Sequence, residues 1–211
     1  MKSTAIILTT FALAASAFAQ GNVVFSTRVT AAGLVAPVYG PSLLNPGERQ
    51  SGQATTNGGT VDYTGVRTLV IGTGFTAALW GSSAGNPSQE LGRTTFRTTV
   101  ISGHVQQPLN DISVPFVTSA NAPLPVTFQL RVWNNNGGLV TSWADALARP
   151  DLAQGASDDF TIALGFGPPL GSAPSANLIG LKSFNLTIVP EPGIIALGVL
   201  GLGALLLRRR K

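Results

Sequence analysis

The residues of this chain that could act as a general acid and base are few, and the only adjacent carboxylates are Asp158 and Asp159. In glycoside hydrolysis two carboxyl groups must face one another across about 5 to 9 Å. Neighbouring residues of a strand point to opposite faces, and this pair precedes a predicted strand. The alternative is that Asp145, Asp151 or Glu90 acts as the second carboxylate beside Asp158 or Asp159. An exported hydrolase is therefore considered only for comparison with the other functions.

Metal and nucleophile chemistry are also poorly supported. The chain has a single histidine, His104, and no cysteine, which excludes the usual zinc sets, Fe–S clusters and Cys-based catalysis. Calcium bound by Asp151, Asp158 or Asp159 with backbone carbonyls lacks a spaced loop signature. No G-x-S-x-G motif is present for a serine nucleophile, and His104 is expected in a turn or exposed. We therefore predict no catalytic residue, no metal site, no cofactor and no enzymatic activity.

Three tryptophans are the candidates for ligand binding. Trp80 and Trp133 fall on the polar phase of their predicted strands, and Trp143 begins a predicted helix. Exposed indole rings could form stacking surfaces for sugars, because an aromatic face offers a large contact area at low entropic cost. The alternative is that they pack beneath loops or beneath the helix at residues 143–148.

Strict alternation of apolar and polar residues indicates the elements that position these side chains. Val126, Phe128, Leu130 and Val132 alternate with Thr127, Gln129 and Arg131 without a miss, as in a half-buried strand. The same pattern predicts strands at 23–29, 75–79, 96–100, 112–116, 126–132, 160–166 and 184–188, with further candidates at 66–71 and 139–141. The last is expected to return from the Asn-rich turn at 134–138 and pair with the 126–133 strand.

One soluble helix is predicted at residues 143–148, with Ser142 as N-cap, Asp145 at the third position and Pro150 beyond its end. Residues 32–60 and 165–177 are predicted to be irregular. Only 10% of residues are charged, while Gly (25) and Pro (14) are abundant, which favours strands and turns over helices. The predicted fold of residues 20–188 is one all-β domain, an antiparallel β-sandwich, with a jelly roll as one form of it.

The net charge of +4 does not indicate a nucleic-acid partner, because its excess lies at the two ends of the chain. Between residues 20 and 190 eight basic residues meet eight acidic ones. The basic residues there are dispersed singly, whereas phosphate neutralisation needs a patch.

The N-terminus has the features of a secretory signal peptide. Lys2 precedes an apolar run at residues 5–15, and Ala17-Phe18-Ala19 is a small-x-small cleavage site. We expect the mature chain to begin at Gln20. The alternative, an uncleaved N-terminal anchor, would need a longer apolar run.

The C-terminus combines three features in order. Pro190, Glu191 and Pro192 precede fifteen residues, 193–207, without a charge or hydrogen-bonding side chain, and the chain ends in Arg208, Arg209, Arg210 and Lys211. As a helix the apolar run would be about 22 Å long, shorter than the roughly 30 Å hydrocarbon layer; snorkelling Arg side chains and local thinning reduce the gap. We predict a single transmembrane helix whose basic cluster stops transfer on the cytoplasmic side.

This tail resembles the PEP-CTERM sorting signal, and parts of the body, residues 74–80, 128–133 and 143–144, are similar to β-rich ectodomains that often precede such tails. The resemblance implies processing near residues 190–192 by a membrane-embedded exosortase and transfer to the cell surface or extracellular matrix. The two prolines would keep the Glu191 region extended and available for cleavage. The alternative is an ordinary single-span anchor.

These features predict an exported, non-enzymatic surface or extracellular-matrix protein, held in the cytoplasmic membrane before processing. The alternative function is a carbohydrate-binding module acting in the extracellular polymer. The expected partners are an exosortase-type enzyme, the membrane and, for the alternative, an extracellular polysaccharide.

Overall fold

A computed structural model of the chain describes residues 21–52, 63, 68–98, 101–118, 121–165 and 175–188. The predicted signal-cleavage residues and the predicted sorting segment lie outside this part: Ala17, Ala19, Pro190, Glu191, Pro192, Arg208, Arg209, Arg210 and Lys211. Within the described part, no helix has the length and apolar character needed to cross a membrane.

The described residues form an all-β structure with one short α-helix, which confirms the all-β part of the predicted fold. The strands are β1 (Gly21–Val24), β2 (Arg28–Val29), β3 (Leu34–Val35), β4 (Val38–Tyr39), β5 (Phe75–Ser83), β6 (Asn86–Thr94), β7 (Ile112–Val114), β8 (Leu124–Asn134), β9 (Gln154–Ala156), β10 (Phe160–Leu164), β11 (Ala176–Asn177) and β12 (Phe184–Asn185). The helix is α1 (Trp143–Leu147), and short 3-10 turns lie at Thr30–Ala32 and Asn136–Gly138.

The main sheet is antiparallel and is built around β8. Its strand order is β10-β8-β5-β6, and β9 also pairs with β8. Because β5 occupies one edge of β8, strands β9 and β10 share the other edge. Between the pairs Arg131↔Ala156 and Phe128↔Phe160, two residues of β8 face the three residues 157–159. This extra residue is a β-bulge, a feature that bends a strand and redirects its side chains.

The core lies on the apolar side of this sheet. Val126, Phe128, Leu130 and Val132 are all fully buried, as their period-two pattern predicted. They belong to one cluster with residues of other strands, including Val23, Val114, Leu178 and Phe184. Burial of such side chains is the main favourable contribution to folding in a chain with no disulfide.

The smaller sheets combine parallel and antiparallel pairs. The order of the three-stranded sheet is β11-β1-β7, in which β1 runs antiparallel to β7 and parallel to β11. Strands β4 and β12 are also parallel, whereas β2 and β3 are antiparallel. The prediction of antiparallel pairing thus applies to the main sheet but not to every pair, because alternation indicates which face is buried and not strand direction.

Several predicted strands are shorter than expected. Within 23–29 the chain forms β1 and β2 with a break between them, and within 184–188 only β12 is regular. Among residues 96–98, the described part of the predicted strand at 96–100, only Phe96 forms a β-bridge, and its partner is Val105. Leu69, within the 66–71 candidate, likewise forms a single bridge with Tyr39.

The sequence-based expectation that residues 139–141 pair with β8 is wrong. Residues 139–141 form no strand; Val140 instead packs as a buried residue beside the helix. The strands that pair with β8 are β9 and β10 along one edge and β5, of the hairpin β5–β6, along the other. Strand β6 was not predicted because Pro87, Ser88, Gln89 and Glu90 provide no apolar alternation.

The helix α1 matches its predicted start and capping. Ser142 Oγ accepts a hydrogen bond from the Asp145 backbone N at 3.1 Å, and Asp145 Oδ2 accepts one from the Ser142 backbone N at 3.1 Å. This reciprocal capping box satisfies two backbone donors at the helix start. The buried Ala146 then packs against Ala78, Trp133 and Val140 in a second cluster, on the opposite side of the main sheet from the core.

Candidate functional site

The outer face of the main sheet is the face that bears Gln129 and Arg131, and it ends at Trp133. Trp133 is fully buried, and its indole Nε1 donates to the Val140 carbonyl oxygen at 3.1 Å. The prediction that Trp133 is an exposed sugar-stacking surface is therefore wrong. The alternative, packing beneath the helix, is what the structure has, because α1 and the Val140 segment cover this end of the outer face.

The other two predicted stacking residues remain half-buried. Trp143 begins α1, and its ring lies 6.1 Å from the Trp133 ring, tilted by 57°. Trp80 lies in β5, opposite Gln129 of β8 and Glu90 of β6. Trp80 thus occupies the middle of the outer face, between polar residues on both neighbouring strands.

Arg131 lies between the two half-buried tryptophans. Its guanidinium carbon is 4.1 Å from the Trp80 ring centroid and 5.8 Å from that of Trp143, so both contacts are of the cation–π type. Partial burial lowers the pKa of Arg131, and the nearby Asp159 carboxylate opposes that shift. The guanidinium is nevertheless so strong a base that it stays charged in this environment.

A row of hydrogen bonds joins Arg131 to Asp159 through Gln129. Arg131 Nε donates to Gln129 Oε1 at 2.7 Å, and Gln129 Nε2 donates to Asp159 Oδ1 at 3.0 Å. The guanidinium can only donate and an ionised carboxylate can only accept, so the orientation of the Gln129 amide is fixed by its neighbours. Gln129 and Arg131 of β8 and Asp159, which immediately precedes β10, thus form one oriented polar row.

This row borders an open cleft of about 170 Å³ on the outer face. Its polar wall comprises Gln129, Arg131 and Asp159, its aromatic wall is Trp80, and the hydroxyl groups of Ser82 and Ser88 also border it. The indole Nε1 of Trp80 is buried and has no hydrogen-bond acceptor among the described residues. Trp143 and Trp133 do not line the cleft, so of the three predicted residues only Trp80 does.

The two adjacent carboxylates have separate partners, as expected for neighbouring residues of a strand. Asp158 accepts from Ser51 Oγ at 2.5 Å and Arg49 Nη2 at 2.6 Å, and these two hydrogen bonds lower its pKa. Asp159 faces Gln129 instead. Asp158 therefore connects the bulge to residues 49–51 through hydrogen bonds. In the described ranges, no group of three or more side chains is suited to bind a metal ion.

His104 lies in the predicted turn, but its ring is buried, with only 5% of its surface exposed. Thr27 Oγ1 accepts from the Val105 backbone N at 3.2 Å and lies 3.0 Å from His104 Nδ1. A hydroxyl group has one donor and two acceptor lone pairs, so Thr27 can hydrogen-bond Nδ1 in either ring tautomer while it also accepts from Val105. Burial, followed by the charges of Arg28 and Arg97, lowers the pKa of His104 to about 4.

Gln129 and Arg131 were not singled out from the sequence, and Asp159 was considered there only for acid–base and calcium chemistry. Gln129 and Arg131 are two residues apart on β8, so their shared face follows from the strand period. Asp159 lies opposite Gln129 when the β8–β10 register, in which Phe160 pairs with Phe128, is extended by one residue; the sequence does not specify this pairing.

Comparisons with protein-family models, with curated proteins and with solved structures find no match to the chain.

Proposed function

We propose that the chain is an exported, non-enzymatic surface or extracellular-matrix protein sorted through a PEP-CTERM-type tail. The observation that carries this proposal is the ordered tail of Pro190-Glu191-Pro192, the apolar run at 193–207 and the terminal basic cluster. A secretory signal at residues 1–19 provides the export that such a tail requires. In this proposal the tail holds the precursor in the cytoplasmic membrane until an exosortase-type enzyme cuts near residues 190–192.

The body between these signals is proposed to be a β-sandwich, with a jelly roll as the finer possibility for its topology. Support comes from the core cluster, which joins the apolar face of β8 to residues of β1 and β7 in the three-stranded sheet. Its non-enzymatic character is supported by the separate partners of Asp158 and Asp159 and by the burial of His104.

The sorting proposal is tested by replacing Pro190, Glu191 and Pro192 together with Ala in a host that contains an exosortase. Without the prolines, helix can extend through this segment, so we expect the precursor to stay in the membrane fraction. The matched control is Arg210→Lys, which keeps the basic cluster and should be sorted normally. Surface delivery of the triple variant with an unchanged mature mass would refute the proposal.

The second candidate function is carbohydrate binding in the extracellular polymer. The observation that favours it is the cleft of the outer face, where an indole, a guanidinium, an amide and a carboxylate converge. Aromatic and planar polar side chains of this kind are suited to the apolar and hydroxylated surfaces of sugars. Binding of the full chain on a glycan array, and its loss in Trp80→Ala but not in a variant of the exposed Leu139, Leu139→Ala, tests this candidate.

A further inference from the structure

We infer that the cleft beside Trp80 binds a neutral sugar ring through Arg131 and Asp159, with Gln129 as the positioning residue between them. The inference rests on the second candidate function and names its ligand class and binding groups. It differs from the expectation of tryptophan stacking, because the groups that select the ligand are the polar row of the outer face and not three exposed indole rings.

The unused hydrogen-bonding groups of the row complement hydroxyl groups. Arg131 Nε and Asp159 Oδ1 are engaged with Gln129. Arg131 Nη1 and Nη2 donate to no acceptor, and Asp159 Oδ2 accepts no bond, within the part of the chain described here. A hydroxyl group is both a donor and an acceptor, so neighbouring hydroxyls of a sugar can accept from Arg131 and donate to Asp159.

The row is held in place before a ligand arrives. The Arg131 guanidinium packs on the Trp80 ring at 4.1 Å and lies beside the Trp143 ring at 5.8 Å, while Gln129 fixes its Nε. Asp159 is exposed but is held by the other end of the same amide. Side chains that are already ordered lose less conformational entropy on binding, which increases affinity for a small ligand.

The charges of the cleft favour a neutral ligand over an acidic one. One cation, Arg131, and one anion, Asp159, border the cleft, so their charges balance. A carboxylate on the ligand would gain the attraction of Arg131 but would also lie close to Asp159, and like charges at short range repel. A neutral polyol engages both groups without that repulsion.

The size and the aromatic wall of the cleft fit a single ring. Its volume of about 170 Å³ corresponds to roughly six waters, which suits one sugar unit of a chain that continues over the open surface. The buried Nε1 of Trp80 has no acceptor among the described residues, and it provides a further donor to a ligand oxygen once neighbouring side chains adjust. Binding is therefore expected to change the fluorescence of Trp80.

The test uses the full chain and two neutral probes, cellohexaose and mannohexaose, with hexagalacturonate as the acidic comparison. Binding is measured by titration calorimetry and by tryptophan fluorescence for the two cleft variants, Arg131→Lys and Asp159→Asn. The matched controls are Arg149→Lys and Asp151→Asn, which change the exposed Arg149–Asp151 ion pair. Arg131→Lys keeps the charge but removes the fork of donors. Unchanged near-ultraviolet circular dichroism identifies the variants that remain folded.

We expect a neutral probe to bind, with affinity reduced about tenfold or more in both cleft variants, since each loses a hydrogen bond to a charged group. The Arg149 and Asp151 variants should bind like the unmodified chain. Neutral-probe binding that is unaffected by both cleft variants would overturn the cleft assignment and leave carbohydrate binding in place. Absence of saccharide binding at roughly millimolar concentration would overturn both the cleft assignment and the carbohydrate-binding function. Tighter binding of hexagalacturonate than of the neutral probes would overturn the assignment of a neutral ligand.

Discussion

The guanidinium of Arg131 lies over the indole of Trp80, with its central carbon 4.1 Å from the ring centroid. One face of this ring is therefore already occupied by a protein side chain. A sugar cannot stack on that face while Arg131 stays in place, so the role of Trp80 is to hold the guanidinium and to form a wall of the cleft. This contact explains why exposure of a tryptophan on a strand does not by itself make a stacking platform.

Removal of this contact should measurably destabilise the body. Arg131→Gln keeps a polar side chain but loses the cation–π contact, and we expect the free energy of unfolding to fall by about 1 kcal/mol. Urea denaturation followed by circular dichroism measures the change. Arg149→Gln, whose ion pair with Asp151 is exposed, is the control and should leave the free energy of unfolding nearly unchanged. If the two substitutions lowered the free energy of unfolding equally, this would contradict a stabilising role for the contact between Arg131 and Trp80.

The buried indole of Trp133 should contribute more to stability than its half-buried neighbours. Trp133→Phe removes the hydrogen bond from Nε1, leaves the Val140 carbonyl without that donor and opens a small cavity. We expect a loss of about 2 to 3 kcal/mol in unfolding free energy. The control is Leu139→Ala, because Leu139 is 79% exposed. A Trp133→Phe variant as stable as this control would show that the ring is not packed beneath α1.

The capping box of α1 gives a third stability prediction. Ser142→Ala removes the hydroxyl that accepts from the Asp145 backbone N, and loss of such a cap costs about 1 kcal/mol. Thermal denaturation should show a lower midpoint for this variant and an unchanged one for Ser88→Ala, since Ser88 is exposed in β6. An unchanged midpoint in Ser142→Ala would mean that α1 does not contribute to the cooperative fold.

The sequence predicted best where one side of a strand is buried in the core. Val126 to Val132 alternate without a miss because β8 is central in its sheet and packs on the core through one face only. The helix start was also predictable, because Ser142 and Asp145 interact locally. Strand β6 was not, because its residues make no large contribution to the core and its pairing is set by the hairpin with β5.

The site was predictable only in part, for a reason that involves tertiary packing. Trp133 has the phase of an exposed residue, and its burial results from α1 and Val140, which follow it in the chain and fold over the outer face. Asp159 lies opposite Gln129 through the pairing of β10 with β8. Neither the cover over Trp133 nor the pairing partner of β10 has a periodic signal. Trp80 was therefore identified from the sequence as a candidate for ligand binding, whereas Gln129 and Arg131 were not, and Asp159 was considered only for acid–base and calcium chemistry.

The burial of His104 predicts a specific dependence of stability on pH. Its pKa is about 4 in the folded chain against 6.5 as the ordinary value, so above pH 6.5 the ring is neutral in both states. As the pH falls from 6.5 to about 4, the unfolded chain binds the proton first and stability decreases, by about 3 kcal/mol in total. Urea titrations across this range measure the loss.

His104→Gln is the matched variant for that experiment, because it removes the titrating group and keeps a polar side chain. The stability of this variant should fall less between pH 6.5 and 4 than that of the unmodified chain, while Arg28 and Arg97, the charged groups beside the ring, remain in place. Parallel pH profiles for the two proteins would contradict the proposed burial of a neutral ring.

Intact-mass spectrometry of protein recovered from the cell surface tests the proposed export and sorting most directly. The mature protein is predicted to begin at Gln20 and to end near Pro192, so that residues 1–19 and the apolar and basic tail are absent. Loss of Lys2 and of the cluster at Arg208 to Lys211 would leave a nearly neutral body. A surface protein whose mass includes the sequence through Lys211 would contradict processing at the tail.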